Sequence, residues 1–182
     1  MSLLTKIHQH AEHIFSEITE IRRHIHQYPE LSFQEFKTSE YIQHQLKKHN
    51  ILFTAGIVKT GIVAVIEGKQ PNKKTILLRA DMDALPIEEK NNVSYASVNA
   101  GVMHACGHDG HTAIGMGVAQ ILTQRRNQLP GRVKLVFQPA EELTSGARAM
   151  IKDGVLNDPT PAAAFGLHLW SRLPLNQVIV QS

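Results

Sequence analysis

The stretch TILLRADMDALP, residues 75–86, joins an apolar run to two aspartates, and the fold prediction starts from it. Residues 75–81 are rich in β-branched and apolar side chains, which predicts a strand. Asp81 ends this run and Asp83 comes two residues later, on the same side of an extended segment. Because ligands bind outside the carboxyl ends of the strands in α/β sheets, these carboxylates are the first candidates for a functional site.

Further strands are predicted on both sides of this stretch by the same enrichment in β-branched and apolar residues. They cover residues 61–68, 132–138 and 162–170, with 176–180 as a fifth candidate. Pro71 and Asn72 place a turn between 61–68 and 75–81. We therefore expect these two strands to form a hairpin or to be neighbours in a sheet.

Helices are predicted where apolar residues recur every three to four positions. They cover residues 3–27, 33–49, 112–126 and 145–152. Helices and strands that mix in this way predict an α/β fold, with a mixed, largely parallel sheet flanked by helices. The chain of 182 residues has 42% apolar content, which is enough for one domain with its own core.

Composition argues against several classes of function. The formal net charge of +3 comes without long basic runs or interleaved aromatics, so we expect no nucleic-acid partner. The start of the chain lacks the apolar core of a signal peptide, and the longest apolar runs are too short to span a bilayer. We therefore expect no membrane partner and a cytoplasmic location. A nicotinamide or flavin site is disfavoured, because no Gly-x-Gly-x-x-Gly follows a strand.

The segment MHACGHDGHT, residues 103–112, contains the single cysteine of the chain and three histidines. Cys106 and His108 are two positions apart, so in an extended or loop backbone both side chains reach one ion. Gly107 and Gly110 allow the backbone to bend tightly around it. Thiolate and imidazole suit Zn²⁺, and imidazole also suits other transition metals. The alternative is a buried cysteine beside loop histidines.

Two more segments carry candidate side chains at predicted strand ends. In PAEE (139–142) the adjacent Glu141 and Glu142 diverge, so one can bind metal while the other faces water, a division that suits metal-assisted hydrolysis. His168 lies among apolar residues in GLHLW. The alternatives are a solvated acidic turn and a core histidine. All these features lie at predicted strand ends, which favours a single site.

Four segments, in this order, resemble the amidohydrolase branch of the aminoacylase/carboxypeptidase-type metallopeptidases: LRADMDALPI, MHACGHDGHTA, FQPAEE and GLH. That branch includes hippurate hydrolases, N-acyl-amino-acid amidohydrolases and indole-acetyl-amino-acid hydrolases. RRHIHQYPELSFQEFKTS is similar to the family's opening segment, so the resemblance covers nearly the whole chain. It implies an enzyme that hydrolyses the amide bond of a small-molecule N-acyl amino acid.

The resemblance also implies a site with two divalent ions, of zinc, manganese, cobalt or nickel. The implied metal ligands are Cys106, His108, Glu142 and His168. Glu141 would be the general acid/base, and Asp83 the aspartate that orients a ligand. The possible outer positions are Asp81, His104, Asp109 and His111. The role of Asp81 stays open, because sister branches have a metal-binding histidine there.

Members of this family are much longer than 182 residues. The resemblance implies that residues 1–182 are the N-terminal part of the metal-dependent catalytic domain. A lid or dimerisation domain and a return segment with a further histidine ligand would then lie outside this sequence. We expect the isolated chain to be a poor, aggregation-prone catalyst with an exposed sheet edge, and a homodimer only in a full-length form. The alternatives are a metallo-dipeptidase or carboxypeptidase of the same wider group, and a non-catalytic metal-binding fragment.

Overall fold

The computed structural model describes residues 1–180 as a single mixed sheet with helices against it. The helices are α1 (Leu3–Gln27), α2 (Phe36–Lys48), α3 (His108–Gln124) and α4 (Gly146–Lys152). The strands are β1 (Phe53–Ile57), β2 (Gly61–Glu67), β3 (Thr75–Asp81), β4 (Arg132–Gln138) and β5 (Pro161–Gly166). Their order in the sheet is β1-β2-β4-β3-β5. The predicted class, a mixed α/β sheet flanked by helices, is confirmed.

The direction of the strands changes in the middle of the sheet. β3 is parallel to both of its neighbours, β4 and β5. β2 is antiparallel to β1 and to β4. Because β3 and β4 are parallel, their carboxyl ends meet at the same edge, and the chain leaves both strands there.

The side chains of β4 alternate between two apolar layers, as expected for a strand covered on both faces. Leu135 and Phe137 pack into the larger layer, which α1, α2 and α3 cover. Val136 points to the other face and packs in a smaller cluster with Met150 of α4. The apolar pattern of the sequence thus places helices on both sides of this strand.

α3 lies close to its neighbours because two of its glycines face them. A Cβ on Gly115 would lie 3.3 Å from the Cβ of Ala80 in the sheet. A Cβ on Gly117 would lie 3.3 Å from Ile18 of α1. α3 is therefore held between α1 and the sheet, which fixes the position of its first turn.

β5 is an edge strand and has little cover. Phe165 is 59% exposed, and residues 162–166 are all exposed. The expected open edge is present, while the aggregation that it favours stays a prediction. Each helix of the described part of the chain is too short or too polar to cross a bilayer.

The expected pairing of 61–68 with 75–81 is wrong. β4 lies between β2 and β3 and pairs with both. The turn at Pro71 and Asn72 allows a hairpin, but the apolar residues on both faces of β4 favour its central place in the sheet. β1 was not predicted, because Ala55 and Gly56 weaken its strand pattern.

Other predicted elements also differ from the structure, and the helix predicted at 33–49 is the shorter α2. The strand predicted at 162–170 ends at Gly166, so His168 lies in the segment after it. Residues 176–180 form no strand. α3 begins at His108 rather than at 112, because Gly107 takes a φ of 87° and starts the helix. His108 and His111 of the motif therefore lie on the first turn of a helix, and His104 lies before it.

Candidate metal centre

The candidate site lies at the edge of the sheet where β3 and β4 end. Asp81 of β3 pairs in register with Gln138 of β4, so the residues that follow leave the sheet side by side. Asp83 follows β3, and Glu141 and Glu142 follow β4. The first turn of α3 begins at the same edge. Residues far apart in sequence therefore meet in a small volume.

Three overlapping groups of side chains have ligand atoms within 4.8 Å of one another. The groups are Cys106, His108 and His168; Asp81, His108 and His111; and His108, Glu141 and Glu142. His108 belongs to all three. Each of the other residues implied as a metal ligand shares a group with it.

His108 presents one ring nitrogen to the site and uses the other for support. Its side chain is fully buried, and Nδ1 lies 2.8 Å from the backbone oxygen of Asp83 and 3.2 Å from Oδ1 of the same residue. Nδ1–H therefore donates to Asp83, and the lone pair of Nε2 points into the cluster. An aspartate behind a histidine ligand fixes its tautomer in this way.

The lone pair of His108 faces an equally unsatisfied oxygen. Nε2 is 3.6 Å from Oε1 of Glu142, and neither buried atom has a hydrogen-bond partner within residues 1–180. Two ligands at about 2.1 Å from a tetrahedral ion lie about 3.4 Å apart. Since orphaned buried polar atoms are rare in native proteins, this pair fits a divalent cation.

Cys106 and His168 form a second pair at a similar separation. The Sγ of Cys106 lies 3.5 Å from Nε2 of His168. Nδ1–H of His168 donates to the backbone oxygen of Leu169 at 2.7 Å, which leaves Nε2 with its lone pair toward the thiol. A sulfur and a nitrogen ligand of one tetrahedral zinc ion lie about 3.6 Å apart. This pair fits the same kind of ion.

Negative charge around these atoms favours a cation. Burial raises the pKa of the Cys106 thiol to about 11, and the nearby carboxylates, Glu142 first, add to that effect. Burial alone would lower the pKa of His108, but its hydrogen bond to Asp83 and the other carboxylates outweigh burial, so that pKa is raised. A cation that binds Sγ of Cys106 and Nε2 of His108 therefore competes with protons for these atoms.

The two adjacent glutamates differ in exposure. The side chain of Glu141 is 39% exposed and that of Glu142 is 21% exposed. The backbone N–H of Glu142 donates to Oδ2 of Asp83 at 3.0 Å, which ties the turn after β4 to the end of β3. Oε2 of Glu141 stays 3.9 Å from Nε2 of His108. Both carboxylates therefore lie near Nε2 of His108, with Glu142 the more buried and Glu141 the more exposed of the two.

Asp81 and His111 connect the centre to the segment after β5. Nδ1–H of His111 donates to Oδ1 of Asp81 at 2.6 Å, and Nε2 accepts from the backbone N–H of Leu169 at 2.8 Å. Burial raises the pKa of Asp81, but the bond from His111 and the nearby positive charges together outweigh burial, so that pKa is lowered. Because Leu169 follows His168 directly, this chain of bonds fixes the position of that histidine.

His104 and Asp109 lie to one side, in a neighbouring buried cluster. Oδ2 of Asp109 accepts from Nδ1–H of His26 at 2.9 Å and from Nε–H of Arg22 at 3.1 Å. His104 is buried without a partner for either ring nitrogen in the described chain, and burial lowers its pKa to about 4. Neither residue belongs to a group of converging ligand atoms.

Two residues near the centre were not among the sequence candidates. The hydroxyl of Ser32 donates to Oδ2 of Asp83 at 2.6 Å. Glu35 is fully buried and accepts from the backbone N–H of Ala140, beside Glu141. A glutamate at the start of a predicted helix gives no signal of burial in a single sequence, so pattern analysis could not find this role.

Comparison with known proteins finds relatives over most of the chain. A model of Peptidase family M20/M25/M40 matches residues 77–181. N-acyl-L-amino acid amidohydrolase of Geobacillus stearothermophilus is 42% identical over 169 residues, which are 92% of this chain and 45% of that protein. Thermostable carboxypeptidase 1 of Saccharolobus solfataricus is 42% identical over 177 residues, 96% of this chain and 44% of that protein.

The fold also matches that of a solved structure. The Bacillus subtilis YXEP protein, described as a dinuclear metal binding peptidase from the M20 family, matches with a TM-score of 0.86 at 44% sequence identity. The match covers 90% of this chain and 46% of that one. The chain thus spans less than half the length of each of these three relatives.

Proposed function

The chain belongs to Peptidase family M20/M25/M40, and we propose that its site takes part in metal-dependent hydrolysis of the amide bond of N-acyl amino acids. One observation carries the proposal. Nε2 of His108 and Oε1 of Glu142 are buried, unpartnered within residues 1–180 and 3.6 Å apart. The amidohydrolase from Geobacillus stearothermophilus supports the substrate class.

The proposed metal ligands are the four that the resemblance implied. They are Cys106, His108, Glu142 and His168. Thiolate, imidazole and carboxylate together suit zinc, and imidazole and carboxylate also suit manganese, cobalt or nickel. The dinuclear relative from Bacillus subtilis supports two ions in a full site.

When bound, such ions supply a Lewis acid that polarises a carbonyl and lowers the pKa of water. Glu141 is the proposed general acid/base, because its carboxylate is the more exposed of the two and stays near His108. It takes the proton from the attacking water and returns it to the nitrogen of the leaving amine. Asp83 keeps Nδ1 of His108 protonated, which leaves Nε2 free to bind.

We place residues 1–182 in the N-terminal part of the catalytic domain of such an enzyme. The support is the partial cover of the relatives, at 45% and 44% of their length. On this proposal, the lid that selects the substrate and the contacts of a homodimer belong to a full-length form. The proposed substrate remains a small N-acyl amino acid.

A second candidate is the peptidase reaction of a carboxypeptidase. It is favoured by the thermostable carboxypeptidase from Saccharolobus solfataricus, which is as similar to this chain as the amidohydrolase is. Both reactions cleave an amide next to a carboxylate, so the same metal site serves either. Parallel assays on N-acetyl or N-benzoyl amino acids and on unblocked dipeptides separate them, with Glu141→Gln as the control for the general base.

The first experiment is metal analysis of the purified chain by inductively coupled plasma mass spectrometry. We expect near-stoichiometric divalent metal in the wild type and its loss in Cys106→Ser and Glu142→Ala. Glu67→Ala removes an exposed carboxylate at the end of β2 and is the matched control. A metal-free wild type, or variants that keep their metal, would contradict the proposed site.

A further inference from the structure

Glu35 is the most completely buried carboxylate of the N-terminal segment. It is fully buried at the start of α2, beside Thr60 before β2 and Ala140 after β4. Oε1 accepts from the backbone N–H groups of Phe33 and Ala140, both at 2.9 Å, and Oε2 accepts from the hydroxyl of Thr60 at 2.7 Å. Burial raises the pKa of Glu35. Burying a carboxyl group is costly unless its oxygens are hydrogen-bonded, as both are here.

The bond to Ala140 reaches a strained turn. Ala140 is buried and has a φ of 50°, in the left-handed region that residues with a Cβ rarely adopt. Its backbone oxygen accepts from the N–H of Gly146 at 3.0 Å, and Gly146 lies so close to Pro139 that a side chain there has no room. Such a backbone conformation persists only when its surroundings hold it.

The same N-terminal loop holds the site at a second point. Ser32 donates to Oδ2 of Asp83, and that oxygen also accepts from the backbone N–H of Glu142. Ala140 and Glu142 are therefore fixed on both sides of Glu141. The two contacts come from residues only three positions apart in the loop before α2.

We propose that Glu35 is a positioning residue for the metal centre. It holds the turn after β4 in its strained form, so that Glu141 and Glu142 both point at the cluster around His108. The inference rests on the proposed function, because it assigns a purpose to the direction of those two glutamates. It adds a residue that is 105 positions away from Ala140 in the sequence.

The chain offers a graded set of variants. Glu35→Ala removes the acceptor of the Ala140 N–H. Glu35→Gln keeps Oε1 for both backbone groups, and the Thr60 hydroxyl can turn to accept from the new amide. Thr60→Val removes the third partner and leaves the bond to Ala140 in place. It is therefore the matched control for simple loss of stability.

Two measurements decide the proposal in the full chain. Hydrogen exchange reports whether the Ala140 amide is protected, and titration with Co²⁺, followed by its thiolate absorption band, reports the affinity of the centre. In Glu35→Ala we expect loss of that protection and a Co²⁺ affinity about 10-fold to 100-fold lower, the range for groups that act through a ligand. Glu35→Gln should restore both, and Thr60→Val should change neither.

Three results would overturn the proposal. They are wild-type Co²⁺ affinity in Glu35→Ala, an affinity in Thr60→Val as low as in Glu35→Ala, and failure of Glu35→Gln to restore affinity. If Glu35→Ala does not fold, Glu35→Asp, whose carboxylate is one methylene too short, takes its place. A wild type that binds no Co²⁺ would refute the metal centre instead, and the protection of Ala140 would then decide whether Glu35 holds the turn.

Discussion

Two clusters of histidines and carboxylates lie side by side, joined by the neighbouring residues His108 and Asp109 of α3. The His26 cluster consists of Arg22, His26, Glu89 and Asp109. The His108 cluster consists of Asp81, Asp83, His108 and Glu142. Their residue types are nearly the same, yet their hydrogen bonding differs.

In the His26 cluster both ring nitrogens are used. Nδ1–H donates to Asp109 at 2.9 Å and Nε2–H to Glu89 at 3.0 Å, so the imidazolium is satisfied by its neighbours. In the His108 cluster one nitrogen is used and the other faces a second orphaned atom. His104 shows that an unpartnered histidine alone is not enough, since it lies in no converging group. Converging lone pairs, rather than composition, therefore distinguish the candidate binding site.

The largest expected effect comes from exchanging the two central histidines for alanine. His108→Ala should lower the affinity for Zn²⁺ or Co²⁺ by more than about 100-fold, beyond the range for groups behind a ligand. His26→Ala should leave that affinity within about 3-fold and should instead lower stability, because it breaks buried bonds to two carboxylates. Isothermal titration calorimetry with a chelator competitor measures the affinities. An equal loss of metal affinity in both variants would contradict the distinction between the two clusters.

A smaller effect is expected at the carboxylate behind the proposed ligand. In Asp83→Asn one carboxylate oxygen becomes an NH2 group, so the side chain can no longer accept from Ser32 and Glu142 at one oxygen and from Nδ1–H of His108 at the other. Metal affinity should therefore fall about 10-fold to 100-fold, with the stoichiometry kept. Asp153→Asn, at an exposed position after α4, is the control. Unchanged affinity in Asp83→Asn would remove its orienting role.

The His26 cluster should show itself in the pH dependence of stability. The hydrogen bond from His26 and nearby positive charges outweigh burial and lower the pKa of Asp109 to about 2. Its contribution is therefore present above about pH 4 and is lost as pH falls toward 2, on the order of 2 kcal/mol. The pKa of His26 is raised, chiefly by its bond to Asp109, so its contribution is present below about pH 6.5 and is lost as pH rises through the raised pKa.

Urea unfolding of the wild type and of Asp109→Asn, measured from pH 3 to pH 8, tests this expectation. The advantage of the wild type should be largest between about pH 4 and 6.5 and should shrink on both sides. A difference that does not change with pH would mean that the cluster acts through packing alone.

The smallest effect is expected for Arg22, at the exposed edge of the His26 cluster. Arg22 donates to Asp109, but its side chain is 48% exposed, so solvent screens the pair. Arg22→Gln should cost no more than about 1 kcal/mol, and that cost should diminish in 1 M salt. Thermal unfolding at two salt concentrations measures it. A larger cost that salt does not reduce would show that Arg22 acts as a buried partner.

Strands with a strong apolar pattern were predicted with their observed bounds. Residues 75–81 and 132–138 are β3 and β4 as the structure has them, because their β-branched runs have turn residues at both ends. Pairing was not predictable in the same way. The place of β4 between β2 and β3 depends on contacts across the whole chain, which a local pattern does not contain.

In the candidate site, too, some residues could be predicted from the local sequence and others could not. Cys106 and His108 could be chosen from their chemistry, although the expected extended backbone is a turn that leads into a helix. The four side chains implied as metal ligands are close together in the structure, while their roles stay predictions. Glu35 could not be chosen, since only the folded chain brings it to Ala140.

This site joins residues that are far apart in the sequence, and that separation affects how the protein folds. Cys106 meets His168 across 62 positions, Asp83 meets Glu142 across 59, and Glu35 meets Ala140 across 105. Closing such loops costs chain entropy before the contacts repay it, and topologies rich in distant contacts fold slowly. Of the four proposed ligands, only Cys106 and His108 are close together along the unfolded chain. Metal should therefore slow unfolding far more than it speeds refolding, and stopped-flow kinetics with and without Zn²⁺ will show that asymmetry.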